Sequence, residues 1–562
     1  MNDIKRTVLW VIFGFSMVLL WDKWQVHNGN KPLFFPANSP AVVGPSVSNP
    51  TQAMSSSSNE LPQSGAAPAA SLIQGKEQTT PKTSEAPVQL YTLKNDVIEL
   101  TISSEGATIV KAKLLKQTDP KDNTQLVTLL DQNASRIYLA QSGLIGASSS
   151  NAYPNHKTLM QLVSQEESKA SDLPSRITFE TVEAGGVKLK KTLALKPGQY
   201  DVELSNTIVN QTQQPVHPKL YVQIVRDGNK PEGESSFYST FTGPAVYTAE
   251  KKYQKVQFKD IEKNNLSFQD HSESGYVAMV QHYYASAWFF DDNRAREIFT
   301  KKIDTNLYSV GMISDVSDIA PGQTVQTKAH FYVGPQEEKR LEILYPGLEL
   351  VKDYGWLTIL AKPLYWLLYK INTVIGNWGW SIVALVLLLK AAFFWINAQA
   401  YKSMAKMKAI GPKITEMRER LKDKPQQIQM EMMRIYKEEK VNPMGGCLPI
   451  VIQIPVFMAL YWVLLSTVEM RNTPWVGWIH DLSAPDPFYI LPFLMTATSL
   501  LQTMLNPTPP DPVQAKMMWI MPLAFSVMFF FFPAGLVLYW LTNNILSISQ
   551  QWLINKKLGV TG

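Results

Sequence analysis

Apolar segments long enough to cross a bilayer constrain the fold of this chain more than any other feature. They are confined to the extreme N-terminus and to the region after Trp356, and the stretch between them is polar. In lipid, only helices and closed barrels satisfy their own backbone hydrogen bonds, and a spanning helix needs about 20 apolar residues. Five C-terminal segments are candidate spans, at about 378–397, 447–468, 488–505, 517–532 and 535–553. The sequence therefore predicts an α-helical polytopic membrane protein.

The N-terminal apolar run resembles a signal peptide that lacks a cleavage site. Lys5 and Arg6 precede the run, which ends in Leu-Leu-Trp-Asp without a small-x-small motif. We interpret residues 1–27 as an uncleaved signal-anchor helix, and a cleaved signal peptide is the alternative. The basic residues place the N-terminus in the cytoplasm. With the five later candidates the expected total is six spans, which puts both termini in the cytoplasm.

The polar stretch before Trp356 has two parts. Residues 28–87 are rich in Ser, Pro, Ala, Asn and Gln, which predicts a flexible linker outside the membrane. Residues 88–345 contain short alternating apolar runs such as DVIELTI and YVQIV, separated by turn-forming residues. This pattern predicts a large exported all-β sandwich domain. Cys447 is the only cysteine of the chain, so no intramolecular disulfide supports that domain.

The charge distribution supports the proposed topology. Residues 400–446 carry eleven Lys or Arg against six Asp or Glu, whereas the predicted outer loop at 469–487 has Arg471 as its one basic residue. This bias is the one that the positive-inside rule requires. The predicted segments are an interfacial amphipathic helix at 346–376, transmembrane helix 2 at 377–399, a cytoplasmic helical hairpin at 400–446, transmembrane helices 3–6 at 447–554 and a cytoplasmic tail at 555–562.

The hairpin is predicted from two runs of helical periodicity. Apolar residues recur at spacings of three and four before and after the sequence KDKPQQ, where Pro425 suits the first turn of a second helix. Two helices would then pack through a seam of Met, Ile and Leu side chains. The outer face is basic, and two interpretations stay open: a solvated surface, or a contact with anionic lipid or ribosomal RNA.

Several long motifs resemble those of one known family. In chain order they are YKSMAKMKAIGPKITEMRERLKD, NPMGGCLPIVIQIPVF, WIHDLSAPDPFYILP and FPAGLVLYW. They resemble the YidC family of membrane-protein insertases, which has relatives in mitochondria and chloroplasts. The motif GYVAMVQHYYASAW and the large exported domain resemble the Gram-negative bacterial type.

The resemblance implies a membrane-protein insertase and folding chaperone with no enzymatic chemistry. No cofactor is expected, and no metal site is expected because no ligands cluster in the sequence around His282. In the family, five helices enclose a hydrophilic groove that is open to the cytoplasm and to lipid. A basic groove residue attracts a client segment, which then leaves along apolar helices into the bilayer. The implied location is the bacterial inner membrane, with the β domain in the periplasm. The implied partners are nascent membrane proteins and the Sec translocon (SecYEG and SecDF), with the ribosome and anionic lipids in addition, and without nucleic-acid specificity.

Lys390 is the matching groove charge, and it lies within the apolar sequence ALVLLLKAAFFW. A charge at the centre of a spanning helix costs roughly 2.5–3.5 kcal/mol on insertion scales, so it needs a functional or structural reason. The family usually has arginine here, and lysine keeps the charge but loses the bidentate fork. The alternative is snorkelling, because Asn397 lies seven residues later, or roughly 10 Å along a helix.

Other residues are expected in the groove from their polarity or from the resemblance. Polar side chains in hydrocarbon must pair or face water, which makes Gln453, Asn543 and Asn544 candidate polar groove residues, with interhelical hydrogen bonding as the alternative. The candidate client slide consists of Phe457, Met458, Met528 and Phe529, and the candidate groove aromatics are Tyr539 and Trp540.

Two other classes of protein fit the sequence less well. A solute transporter would show inverted repeats or broken helices around a midplane site, and no internal repeat is visible in the sequence. A carbohydrate-modifying protein would be suggested by paired carboxylates in the β domain, and no such motif stands out there.

Overall fold

The protein is described by a computed structural model. It describes residues 87–119, 124–146, 153–168, 173–181, 186–231, 240–421, 424–439, 448–506 and 512–557. The predicted signal anchor at 1–27, the predicted linker up to residue 86, and Cys447 lie outside the described residues. The described chain forms two compact units, residues 87–352 and residues 353–557.

The first unit is built of β-strands. The strands are β1 Leu90–Lys94, β2 Ile98–Ser103, β3 Ile109–Thr118, β4 Leu126–Gln132, β5 Ile137–Ile145, β6 Met160–Glu166, β7 Ser175–Thr181, β8 Val187–Leu195, β9 Asp201–Asn210, β10 Lys219–Asp227, β11 Gly243–Thr248, β12 Lys252–Lys255, β13 His271–Ser272, β14 Tyr276–Val280, β15 Tyr284–Phe289, β16 Arg296–Asp304, β17 Leu307–Asp315 and β18 Thr324–Pro335. Two short helices accompany them, α1 Phe258–Glu262 and α2 Glu338–Leu344.

These strands form two nine-stranded antiparallel sheets. One sheet has the order β1-β2-β3-β4-β5-β10-β17-β16-β13, and the other has the order β12-β11-β14-β15-β18-β9-β8-β7-β6. Along β8 and β9 every second side chain is buried, which is the alternation that the sequence shows. The inward residues of both sheets form one large core, which includes Leu100 and Val222 from the first sheet and Phe331 from the second. The prediction of a large all-β domain is therefore confirmed.

The second unit is helical. Its helices are α3 Thr358–Ile375, α4 Trp378–Ala392, α5 Phe394–Arg420, α6 Pro425–Glu438, α7 Leu448–Ser466, α8 Ile490–Leu505, α9 Pro512–Phe529 and α10 Ala534–Lys557. The long C-terminal helix α10 is central, because it packs against α4, α5, α7 and α8. Helix α3 packs on α4 and α7, and α9 packs on α8.

The boundary between α3 and α4 follows from two adjacent residues. Gly376 ends α3 in the left-handed conformation at φ 73°, and its N–H reaches the Asn372 carbonyl oxygen at 2.8 Å. Asn377 then caps α4, since its side-chain oxygen accepts a hydrogen bond from the Trp380 N–H at 3.1 Å. The sequence Gly-Asn therefore stops one helix and starts the next.

Helix α4 is shorter than the sequence predicts. One helix is expected over 378–397, but the structure divides it at Phe393, and α4 and α5 meet at a bend of 69°. Neither Pro nor Gly occurs at this point, so the sequence carries no local signal for the break. Within the described part of the chain, no single helix is both long and apolar enough to span a bilayer, and the bent pair α4–α5 is the combination that meets this test.

Helices α5 and α6 pack on each other through an apolar seam. Its buried members are Ile410, Ile414, Met417 and Tyr436, with further Met, Ile and Leu side chains at its margin. Helix α6 begins at Pro425, as the sequence predicts. The first helix starts at Phe394 rather than at residue 400, because α5 includes the residues that the sequence assigns to the end of a span.

Candidate functional site

Lys390 lies near the C-terminal end of α4 and directs its ammonium group toward α10. Its Nζ donates a hydrogen bond to Ser547 Oγ at 2.7 Å. Ser547 Oγ in turn donates to the carbonyl oxygen of Asn543, one turn earlier, at 2.8 Å. Because the hydroxyl proton is used by the backbone, the serine acts only as an acceptor for the lysine. The half-buried lysine is therefore held by a neighbouring helix.

A second polar contact lies beside this one and joins α7 to α10. The side-chain Nε2 of Gln453 donates to Oδ1 of Asn543 at 3.0 Å. Gln453 is half-buried, whereas Asn543 is buried. The amide pair therefore satisfies part of the hydrogen-bonding capacity of both groups and fixes α7 against α10.

Lys390, Gln453 and Asn543 line a single partly open cavity, whose envelope is about 470 Å³ when the space open to its surroundings is included. We call it the Lys390 cavity. Asn397 from α5 and Tyr539 from α10 contribute further polar groups to its wall. The remaining lining residues are Val386, Leu389, Phe393, Ile396 and Val456. The cavity thus combines one cation, several neutral polar groups and an apolar wall.

The charge of the Lys390 cavity is not balanced by its lining. None of the lining residues that the structure describes is Asp or Glu. Among the ion pairs of the described residues, none includes Lys390. A partly buried positive group with a neutral hydrogen-bond partner attracts an incoming carboxylate more strongly than a water-exposed lysine does.

Asn544 lies on a different face of α10 from the Lys390 cavity. Its Nδ2 donates to Ser499 Oγ on α8 at 2.9 Å. Gln551, two turns later, donates to the Leu505 carbonyl oxygen at 3.1 Å. These contacts make a polar seam between α8 and α10. Asn544 therefore contacts α8 and is not among the residues that line the Lys390 cavity.

The four candidate slide residues lie in different environments. Phe457 and Met458 are half-buried on α7, and Met528 is exposed on α9. Phe529 is only 3% exposed and packs against Phe532 and Trp540, with ring centroids 5.6 Å away in each case. Phe529 is therefore a core residue of the helical unit, and the other three are accessible to some degree.

The two candidate groove aromatics also differ in their position relative to the Lys390 cavity. Tyr539 lines the Lys390 cavity, and its ring is stacked with that of Phe457 at 6.1 Å. Trp540 does not line the cavity, and its indole packs edge-on against Phe457 at 4.5 Å. Phe457 thus contacts both Tyr539 at the cavity wall and Trp540 outside the cavity lining.

Two residues of the site were not assigned by sequence reasoning. Ser547 was visible only as one of several polar residues in the last span, and its contact with Lys390 depends on how α4 meets α10. Asn397 lines the cavity because α5 turns away from α4 after Phe393. The sequence signal for Asn397 was the presence of an amide at the end of an apolar run.

Comparison with known proteins gives matches over nearly the whole chain. A family model described as YidC periplasmic domain matches residues 90–367, and one described as 60Kd inner membrane protein matches residues 370–560. The membrane protein insertase YidC of Ralstonia nicotianae is 51% identical over 557 residues, covering 99% of this chain and 98% of the relative. That of Cupriavidus necator is 50% identical over 558 residues, with the same coverage of 99% and 98%.

A solved structure also overlaps with this chain. It is described as an active YidC insertase crystal structure with the first transmembrane domain resolved, and the TM-score is 0.36 at 17% sequence identity. The overlap covers 82% of this chain and 93% of that chain.

Proposed function

Because this chain belongs to the YidC family of membrane protein insertases, we propose that the Lys390 cavity is the site at which it receives its clients. The chain is an inner membrane protein with a periplasmic all-β domain, and it inserts membrane proteins rather than catalysing a reaction. The client segment enters the cavity, where the ammonium group of Lys390 attracts an acidic or polar side chain. The apolar part of the client then passes into the bilayer.

The observation that carries this proposal is the unbalanced charge of Lys390 inside a lined cavity. At about 4 Å, a carboxylate and an ammonium attract each other by ~1 kcal/mol in water and by ~4 kcal/mol at an effective dielectric constant of about 20. Gln453, Asn397 and Asn543 offer amide groups to the polar backbone of the client. The site can therefore hold a polar segment weakly, as a transient binding site must.

The client leaves along the apolar surface of α7 and α9. Phe457 and Met458 on α7 and Met528 on α9 are the accessible members of this slide. Exposed apolar side chains continue along α9, where Ile520, Leu523 and Phe525 are each about half exposed. An apolar client segment gains little by staying on this surface, because lipid is equally apolar, so it partitions into the bilayer.

The proposed topology has six spans and places both termini, together with the helical hairpin at 400–446, in the cytoplasm. The excess of basic residues at 400–446 supports this orientation. The apolar residues exposed on α8 and α9, among them Phe493, Trp519 and Val527, support a lipid-facing surface for these helices. Partners beyond the client are proposed to be the Sec translocon, the ribosome and anionic lipids.

Substitution of Lys390 tests the proposal. Lys390→Ala and Lys390→Arg are expressed in cells depleted of the native insertase, and insertion is measured for a single-span client with an aspartate in its translocated segment. The same client with asparagine in place of aspartate is the charge control. Lys516→Ala removes an exposed lysine of α9 that does not line the cavity and is the matched variant.

We expect Lys390→Ala to impair insertion of the aspartate client, and we expect Lys390→Arg and Lys516→Ala to support it. Insertion of the asparagine client should change less, because its attraction to the ammonium group lacks the charge. If Lys390→Ala inserts each client as well as the native protein does, the cavity charge does not receive the client and the proposal is refuted.

A further inference from the structure

Ser547 contacts Lys390 in a way that determines where the ammonium group lies. The serine is only 2% exposed, so its hydroxyl group does not reach solvent or lipid. It accepts from Lys390 Nζ at 2.7 Å while its own proton is donated to the backbone at 2.8 Å. Its position is therefore fixed by α10, and the flexible lysine side chain adapts to it.

We propose that Ser547 is a positioning residue that holds the Lys390 ammonium group at the wall of the cavity, ready for a client carboxylate. An ammonium group has three N–H donors, and the serine uses one of them. The other two are then available on the side of the cavity that Lys390 lines. This inference rests on the proposed function of the Lys390 cavity, and it assigns to Ser547 the selectivity of that cavity for acidic client segments.

The chemistry of the partner supports this role. A carboxylate in place of Ser547 would neutralise the lysine and compete with the client, whereas a neutral hydroxyl leaves the full positive charge in place. Without the hydroxyl, the four-carbon stem of the lysine has several rotamers that direct the ammonium group elsewhere, including toward the membrane interface. Preorganisation by Ser547 removes this conformational cost when the client binds.

The test uses the full-length protein in an insertion assay with the aspartate and asparagine clients. Ser547→Ala removes the acceptor, and Ser549→Ala is the matched control. Ser549 lies on the same helix and makes the same kind of backbone hydrogen bond, to the Ile545 carbonyl oxygen at 2.8 Å, but it is exposed and away from Lys390. Lys390→Met and the double variant Ser547→Ala/Lys390→Met complete a double-mutant cycle.

We expect Ser547→Ala to lower insertion of the aspartate client about three- to tenfold, which is typical of one lost intramolecular hydrogen bond. Ser547→Ala should change insertion of the asparagine client by less than about twofold. Ser549→Ala should change insertion of either client by less than about twofold. In the Lys390→Met background the Ser547→Ala change should have no further effect. If Ser547 had only a structural role, the effect of Ser547→Ala on insertion would not depend on the client charge and on the presence of Lys390.

Two outcomes would overturn the inference. One is native insertion of the aspartate client by Ser547→Ala, and the other is an equal loss for both clients, which would mean that the serine only stabilises the helix packing. Lys390→Met separates the inference from the function on which it rests. If Lys390→Met impairs the aspartate client while Ser547→Ala does not, the inference fails and the proposed function stands; native insertion by Lys390→Met contradicts the proposed function itself.

Discussion

The buried Lys191 of the β domain makes the stability of that domain depend on pH. Lys191 on β8 is 0% exposed and reaches across the sandwich to the other sheet. Its Nζ donates to the carbonyl oxygens of Gly106 at 2.7 Å and of Ser142 at 2.8 Å, and to Ser142 Oγ at 2.8 Å. No carboxylate is among these partners. Burial accordingly lowers the pKa of Lys191 from 10.5 to about 7.

The sign of the pH dependence follows from where the proton is bound. Between pH 7 and 10.5 the unfolded chain holds a proton on Lys191 that the folded protein has largely released. Stability therefore rises with pH in this window, by at most about 1.4 kcal/mol for each pH unit. From about pH 7.5 to about pH 9.5, this one group adds up to ~2.7 kcal/mol to the free energy of unfolding.

The perturbation is Lys191→Met, which keeps an unbranched side chain and removes the titrating group. Between about pH 7.5 and about pH 9.5, the free energy of unfolding of the native protein should rise by up to ~2.7 kcal/mol more than that of Lys191→Met. Lys190→Met, on the opposite face of the same strand, should retain the native slope.

The assay is hydrogen–deuterium exchange of β8 and β9 peptides in the full-length protein, corrected for the intrinsic exchange rate at each pH. Absolute stability is not the readout, because Lys191→Met also leaves the Gly106 and Ser142 carbonyl groups without their donor. Parallel opening free energies for the native protein and Lys191→Met across the window would show that Lys191 does not titrate there with a lowered pKa.

Three further predictions concern other parts of the chain. Burial tends to lower the pKa of His330, but hydrogen bonds and charge from Asp201 and Asp291 outweigh burial, so the pKa is raised. His330→Gln should therefore lower thermal stability most below about pH 6.5. The difference between the variant and the native protein should disappear as pH rises through the raised pKa. Asn377→Ala removes the α4 cap and should cost about 1 kcal/mol in denaturant unfolding, and an unchanged midpoint would speak against the cap. Gln453→Leu breaks the amide contact between α7 and α10, and it should weaken photo-crosslinking of a stalled client to the Lys390 cavity; undiminished crosslinking would contradict a polar role for this residue.

The sequence predicted the elements whose patterns are local. Alternating residues such as Ile98, Leu100 and Ile102 lie on one inward face of β2, because a strand has a period of two residues. The order of the strands could not be predicted, since β10 pairs with β5 and β17, and these are distant in sequence. Long-range pairing depends on which inward faces bury each other best, and that information is spread over the whole domain.

The candidate site could be predicted only in part, because its contacts also join residues that are distant in sequence. A lysine in an apolar run is conspicuous, so Lys390 was found, and Gln453 and Asn543 were conspicuous as amides in hydrocarbon. The sequence did not separate Asn543, which lines the cavity, from its neighbour Asn544, which faces α8. One step along a helix turns a side chain by about 100°, so adjacent residues of the same type have different partners.

The most direct test of the central claim is photo-crosslinking of a stalled nascent client to the wall of the Lys390 cavity. The photoreactive residue is placed at Ile396, which lines the cavity and is 38% exposed, and at Ile545 as the control, which is 47% exposed but outside the lining. We expect crosslinks from position 396 to the acidic segment of the client, and we expect Lys390→Ala to abolish them. Equal crosslinking from both positions, or crosslinks at 396 that persist without the lysine charge, would contradict it.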